Sequence, residues 1–325
     1  MRFWIRGFEA NGRAPDMAST ASEARSISAG ADPADSAVQD ENRAAKVADR
    51  RRRRFGVLFW LSVLWLAALI SAAVLADYLP LYPRDEMDFL ELETSPFASE
   101  NHLLGTDLQG RDILSRMIYG ARVSLIVGLC APAIGMAVGL AIGLVAGYYR
   151  GRIESLITIG LDTILALPGL VVLLLASAIF GGSLTVVSVS LGLLLIPAFA
   201  RVSRANTLNF AQREFVVAAR AMGARDSRVV LRELLPNVIL PVTAYGLVVV
   251  AFAIVIEGAL SFLGLSVPSP TPSWGGMIAE GRENLAVSPH VSFIPACVMF
   301  LTVLSFNLVG DALRSRLADI RESAV

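Results

Sequence analysis

One lysine, Lys46, serves the whole chain of 325 residues, and it stands in Asn-Arg-Ala-Ala-Lys with no glycine-rich turn before it. A phosphate-binding loop of the GxxxxGK[ST] kind needs a lysine there to reach the phosphates, so the chain offers no such site for ATP. Cysteine is nearly as scarce. Cys130 and Cys297 both fall inside apolar runs, which argues against a disulfide or a metal site and reads as small buried packing. The two histidines, His102 and His290, fall in separate polar stretches and read as solvated loop residues. No HExxH, no CxxC and no plausible Ser-His-Asp or Cys-His order is present. The chain is not an enzyme by itself and carries no cofactor of its own.

Charge of either sign is thin, and long apolar runs are abundant. Hydrophobic residues make up 55% of the chain and the mean hydropathy is +0.61, outside the range of an ordinary soluble domain. A helix needs about 20 mostly apolar residues to cross a bilayer. Six segments meet or approach that length: 55–76, 123–148, 156–180, 184–200, 238–260 and 291–309. The expectation is an all-α integral membrane protein of about six spans. Residues 1–54 read as a disordered tail, 55–122 as a first span with an outer segment, and 123–325 as the transmembrane core. The tail is long for the n-region of a signal peptide, so the first span reads as a retained anchor.

The 28 basic and 28 acidic residues cancel in sum but not in place. Arg50 to Arg54 precede the first span, Arg150 and Arg152 follow the second, and Arg201, Arg204, Arg213, Arg220, Arg225, Arg228 and Arg232 follow the fourth. Arg314, Arg316 and Arg321 follow the sixth. If the spans cross in turn, all of these share one side, which the positive-inside bias makes cytoplasmic, with both termini. The segment after the first span is acidic instead (Asp85, Glu86, Asp88, Glu91, Glu93, Glu100), with Arg111, Arg116 and Arg122 as outer exceptions.

The cytoplasmic stretch Arg213–Asn237, REFVVAARAMGARDSRVVLRELLPN, suits neither lipid nor substrate. Phe215, Ala218, Ala219 and Met222 fall at helical spacing on a small apolar face. Gly223 follows where a helix C-cap wants it. Asp226 or Ser227 can cap a second short helix that Pro236 closes. The expected unit is a helix–turn–helix on the membrane surface, with an Ala-Ala centre that lets another protein approach closely.

This stretch resembles the docking loop of ABC importer permeases, which inserts into a cleft on a cytoplasmic ATPase. Ala218, Ala219, Gly223, Leu235 and Pro236 keep the family's spacing. Val217 stands where the family has Glu, and Glu233 where relatives often carry His. The resemblance extends along residues 100–315. HLLGTDLQGRD (102–112), ILSR (113–116) and YGARVSL (119–125) are similar to the segment before the core of dipeptide and oligopeptide permeases. EGALSFLGL (257–265), PSWG (272–275) and SFNLVGDALR (305–314) are similar to later segments, in the same order.

The resemblance implies a type I ABC importer permease fold with six spans and the role of second permease subunit. It also implies a bacterial inner-membrane location. The implied partners are another permease, two ATPase subunits that hydrolyse ATP, an extracytoplasmic substrate-binding protein and the lipid bilayer, with no nucleic acid. The implied ATPase-docking residues are Phe215, Ala218, Ala219, Met222 and Gly223. The implied cargo is peptide, although relatives carry nickel, opines, glutathione or oligosaccharides.

Two features bear on transport without the resemblance. Gly135, Gly139, Gly143 and Gly147 recur every four residues in the second span, a pattern that lets helix backbones pack closely. Asp162 and Glu257 sit in or near spans, where a carboxylate is costly and should face protein or water. Either can line a pathway or make fixed hydrogen bonds. As ion or proton ligands they would instead fit a gradient-driven secondary transporter. That alternative finds no repeated halves with matched broken helices in the sequence and leaves the Ala-Ala-Gly loop without a role; the other alternative, a non-transporting membrane scaffold or sensor, uses the loop to hold a partner.

Overall fold

The computed structural model describes residues 56–323, with side chains over 56–316. The tail expected over residues 1–54 therefore lies outside the described residues. Among them the chain is helical apart from loops and one isolated bridge between Thr106 and Asp112. Helix α1 is Val57–Val74, α2 Ile113–Tyr149, α3 Gly151–Ala166, α4 Gly169–Phe180 and α5 Leu184–Phe210. Helix α6 is Glu214–Ala221, α7 Asp226–Phe262, α8 Trp274–Gly281 and α9 His290–Ser323. Helices α1, α2, α5, α7 and α9 are each long and apolar enough to cross a membrane, and α3 with α4 forms a sixth candidate bent by 74°.

The bend corrects the expected continuous span over 156–180. Proline lacks the donor and its ring clashes with the preceding turn, while the residue before it is pushed to extended backbone. Leu167 accordingly has ψ 131 and Pro168 ψ 107. The fourth span does not end near Pro197; α5 runs through it to Phe210, since packed membrane helices tolerate an internal proline. Nor does Pro236 close a helix. It occupies the first α-turn after a π-helical stretch, Val229–Leu234, and α7 continues to Phe262. The wider π turn spares the proline ring the contact an α turn would force. Helix α2 starts ten residues before the expected span, because Asp112 caps it by accepting from the Ser115 N–H at 2.7 Å.

The bundle is organised around α2 against α5, its most extensive helix contact. A Cβ added at Gly135, Gly139, Gly143 or Gly147 would lie 2.8, 2.6, 2.4 and 2.7 Å from the Cβ of Leu195, Phe199, Ser203 and Thr207, respectively. Two rows at four-residue spacing thus interlock with no room for a methyl group. This is the packing use of the glycine stripe, and it supplies close dispersion contact where lipid gives no hydrophobic drive. Ser203 adds a hydrogen bond to the Leu140 carbonyl at 3.0 Å.

At the α2 N-terminal end of the bundle, residues 88–110 form an irregular antiparallel ribbon. Its rungs are Asp88 N–H to Gly110 O, Glu93 N–H to Asp107 O, Thr106 N–H to Thr94 O and Phe97 N–H to Leu103 O, at 3.0 to 3.2 Å. Gly105 (φ +79) and Gly110 (φ +75) hold the left-handed turns, and a Cβ at either would sit 2.1 Å from a carbonyl oxygen of the opposing strand.

Candidate functional site

At the opposite end of α2, helix α6 is stopped by Gly223, whose φ is +82. The Gly223 N–H bonds Arg220 O at 2.9 Å and the Ala224 N–H reaches Ala219 O at 3.0 Å, the closure pattern that a left-handed glycine permits. The unit is tied to the bundle through Tyr148. Its hydroxyl donates to Asp226 Oδ1 at 2.6 Å, and the Arg220 guanidinium lies 4.9 Å over its ring. Asp226 therefore serves as an anchor, and neither it nor Ser227 makes a side-chain cap to the second helix.

The five residues expected on the docking loop do not share one face. Val216 and Ala219 are buried against the chain itself, Val216 in the cluster with Tyr148, Val229 and Leu234. Phe215, Ala218 and Met222 point outward, Met222 with 82% of its surface free. Val217, the residue that departs from the family pattern, and Leu231 are exposed beside them. Arg213, Arg225, Arg228 and Arg232 are exposed in the same stretch and outnumber the exposed acids Glu214 and Asp226. The result is an apolar patch on a basic stretch, backed by a packed helix turn.

The intramembrane carboxylates separate. Glu257 has no exposed surface. Ser124 donates to its Oε2 at 2.8 Å, and Ser261 and Ser266 donate to its Oε1 at 2.7 and 3.2 Å. The Ser273 hydroxyl donates in turn to Ser261 at 2.8 Å and accepts from the Gly276 N–H as the cap of α8. Glu257 thus fastens α2, α7 and the start of α8 together. Three hydroxyl partners on one buried carboxyl offset part of the cost of its burial.

Asp162 is half exposed and accepts from Arg201 at 2.5 Å; Glu154 likewise accepts from Arg204. Asp162, Arg201 and Arg204 line a cavity of about 310 Å³ with Thr158, Ala146 and Gly143, between α2, α3 and α5. Helix α3 has no buried residue, so these two ion pairs are its polar tethers to α5. The sequence marked Asp162 but not its partners, because Arg201 and Arg204 read as ordinary cytoplasmic-side charges.

The arginines that broke the charge pattern are paired. Arg111 bonds Asp107 at 2.7 Å and Glu280 at 2.8 Å, and Arg116 bonds the same Glu280 oxygen at 2.9 Å, both arginines being buried. Arg122 reaches Asp77 at 2.8 Å and the Val74 carbonyl at 3.1 Å, at the C-terminal end of α1. Its hydrogen bond holds the Asp77 carboxyl below the usual carboxylate range. His102 corrects its expectation: it is buried, with Nδ1 3.0 Å from Asp112 and its ring on Tyr82. His290 lies 3.3 Å from the Thr106 carbonyl. Cys130 and Cys297 correct theirs in the other direction, since both are exposed on the outside of the bundle; periodicity alone does not say which face of a uniformly apolar helix turns inward. No cluster of metal-ligating side chains occurs among the described residues.

Comparison with known proteins places the chain among transport permeases. A family model described as "Binding-protein-dependent transport system inner membrane component" matches residues 139–319. The glutathione transport system permease protein GsiD of Escherichia coli O6:K15:H31 is 38% identical over 268 residues, covering 82% of this chain and 88% of the relative. The protein of the same name from Pectobacterium atrosepticum is 38% identical over 255 residues, covering 78% and 84%. Among solved structures, an inward-facing form of the MetNI methionine ABC transporter superposes with a TM-score of 0.52 at 17% identity. It covers 63% of this chain and 97% of that one, a likeness of fold.

Proposed function

We infer a role in import from the family to which this chain belongs, the binding-protein-dependent transport system inner membrane components of ABC importers. The chain is a permease subunit of the peptide, oligopeptide and nickel type, a multi-pass protein of the inner membrane and a transport component rather than an enzyme. ATPase subunits and a substrate-binding protein are its partners by family. The finer reading is that it pairs with a second, different permease and faces the cytoplasm with both termini. In that reading its cargo is a small peptide. The glutathione permease relatives support the cargo class, since glutathione is a tripeptide.

The observation that carries the mechanism is the outward face of Phe215, Ala218 and Met222 beside the buried Val216 and Ala219. A protruding apolar patch on a short helix needs a partner groove to leave water, and the basic stretch that carries it favours an acidic one. Tyr148, Asp226 and Arg220 join this unit to α2, and the short turn of residues 222–225 leads from α6 straight into α7, whose first turns include the π-helical stretch Val229–Leu234. Motion of a docked ATPase would therefore pass into two spans directly. Helix α2 then carries it along the interlocked glycine stripe to α5. Of the two carboxylates, Asp162 is the pathway candidate, because it lines an open cavity with Arg201; Glu257 is a fastening.

The test is uptake of labelled peptide into vesicles holding the assembled system. Uptake should require ATP and the ATPase subunits and persist when an uncoupler collapses the proton gradient. Uptake that stops with uncoupler at constant ATP would replace this reading with a gradient-driven transporter.

A further inference from the structure

The ribbon of residues 88–110 exposes large apolar side chains without being a spanning segment. Leu90 is 96% exposed, Phe97 77%, Phe89 74% and Leu103 53%. Water should not tolerate these on a loop free to fold them away, yet this ribbon is not free. Cross-rungs tie its strands, and the buried Asp107, Arg111, Arg116 and Glu280 network fixes its base to α8. Glu93 hydrogen-bonds Asn284 at 3.0 Å and also the Ser288 hydroxyl, which fixes its middle to the turn before α9. Phe97 is held at φ +62, a conformation that a bulky residue adopts only when its surroundings impose it. Its ring is nonetheless presented outward.

We propose that this ribbon is the docking surface for the extracytoplasmic substrate-binding protein, with Phe89 and Leu90 at its base and Phe97 and Leu103 near its tip as the contact residues. The proposal rests on the importer reading above and on its orientation. Asp85, Glu86 and Glu100 are exposed next to these side chains, with Asp88 and Glu91 partly so. Apolar anchors interleaved with charge describe an interface that forms and separates, whereas permanent subunit contacts are more uniformly apolar. A binding protein must arrive loaded and leave empty in each cycle. The carboxylates select a partner lobe that carries basic residues around an apolar recess, and they disfavour an anionic lipid surface. Rigidity lowers the ordering cost of each encounter.

The experiment uses the complete transporter in lipid nanodiscs and the labelled binding protein of the same system, with binding followed by fluorescence anisotropy. Phe89→Ser with Leu90→Ser, and separately Phe97→Ser with Leu103→Ser, should each weaken binding tenfold or more, and added salt should weaken wild-type binding further. The variants should still co-purify with the second permease. Unchanged binding in both pairs would overturn the assignment. So would loss of the second permease from the complex, which would make the ribbon a permanent subunit contact. Wild-type complexes that take up substrate without any binding protein would instead refute the importer reading itself.

Discussion

Adjacent alanines on α6 offer a perturbation in which folding and docking part company. Ala219 retains 7% of its surface and faces the chain's own core, whereas Ala218 is exposed. A glutamate at Ala219 must force a carboxylate into a site sized for a methyl group and take it out of water, at an effective cost of several kcal/mol. Against a total stability of about 5–15 kcal/mol for an ordinary domain, that is enough to release α6 from Tyr148, Val229 and Leu234. A glutamate at Ala218 stays in water. Its cost to folding is a few tenths of a kcal/mol in propensity, with about 0.3–1 kcal/mol more for a negative charge near a helix C-terminus. In the docked state the same side chain would meet the ATPase groove, and about 2–3 kcal/mol of lost affinity is a factor of roughly 30–150. The assay is paired: thermal stability of the purified permease without its ATPases, and co-purification with them. Ala219→Glu should lower the melting temperature and lose the ATPases as a consequence. Ala218→Glu should melt near wild type and still lose them. Full ATPase retention and uptake in Ala218→Glu would refute the outward docking face, and wild-type melting of Ala219→Glu would refute the inward placement.

Other outcomes follow from the same geometry. Gly139→Leu should abolish assembly of a stable bundle, because even a Cβ there lies 2.6 Å from Phe199 and 2.8 Å from the Ile196 carbonyl; normal yield and melting of this variant would contradict the interlocked α2–α5 contact. Glu257→Gln should destabilise by about 1–3 kcal/mol, since an amide keeps one acceptor and turns a donor toward the Ser124 hydroxyl; Glu257→Ala should cost more, and melting temperatures in one detergent decide the order. A single cysteine at Ser95, in a variant lacking the exposed Cys130 and Cys297, should react with an impermeant thiol reagent in intact cells whose outer membrane, if present, has been permeabilised. One at Ser227 should not, and the reverse pattern would place α6 outside. Asp162→Asn should leave uptake sensitive to ATP depletion and insensitive to uncoupler, and loss of all uptake together with uncoupler sensitivity in the wild type would make Asp162 a proton site.

What the sequence made legible was set by periodicity and by glycine. Apolar run length located the spans. The four-residue glycine stripe announced a close helix contact but not the helix that fills it, because Leu195, Phe199, Ser203 and Thr207 form no obvious motif. Gly223 marked the end of α6 correctly. Proline misled at Pro197 and Pro236, where it signals an end in water but is absorbed inside a packed bundle or after a π turn. At Pro168 the span does break, by 74°. Helical spacing placed Phe215, Ala218, Ala219 and Met222 together, but a face shared in spacing divides where the core edge runs between Ala218 and Ala219. His102 looked solvent-facing because it lies in a polar stretch, and Arg116 stood only as an outer exception to the charge pattern; their burial depends on Asp112, Asp107 and Glu280, and Glu280 lies 164 residues from Arg116.

The distribution of fixed and free parts suggests how such a permease moves. At the ribbon end, α2, α7, α8 and the turn before α9 are bound by the Glu257 serine network, by the paired Arg111 and Arg116, and by the contacts of Glu93. Glu257, Asp107, Arg111 and Arg116 are buried, so breaking their bonds is costly. At the other end α3 buries nothing and is tethered to α5 by Asp162–Arg201 and Glu154–Arg204, of which the first is half exposed on both sides. The Leu167–Pro168 break leaves α3 free to pivot without unwinding α4. A displacement delivered through α6 therefore meets a rigid cap at one end and a loosely held half-span at the other, and α3 is the element that should yield. Replacing the tether by a covalent link, with Asp162→Cys and Arg201→Cys joined by a short bis-thiol reagent that reduction cleaves, in a background free of Cys130 and Cys297, should block uptake when linked and restore it on reduction. Uptake that is indifferent to the link, with cross-linking verified by mass spectrometry, would show that α3 and α5 move as one body.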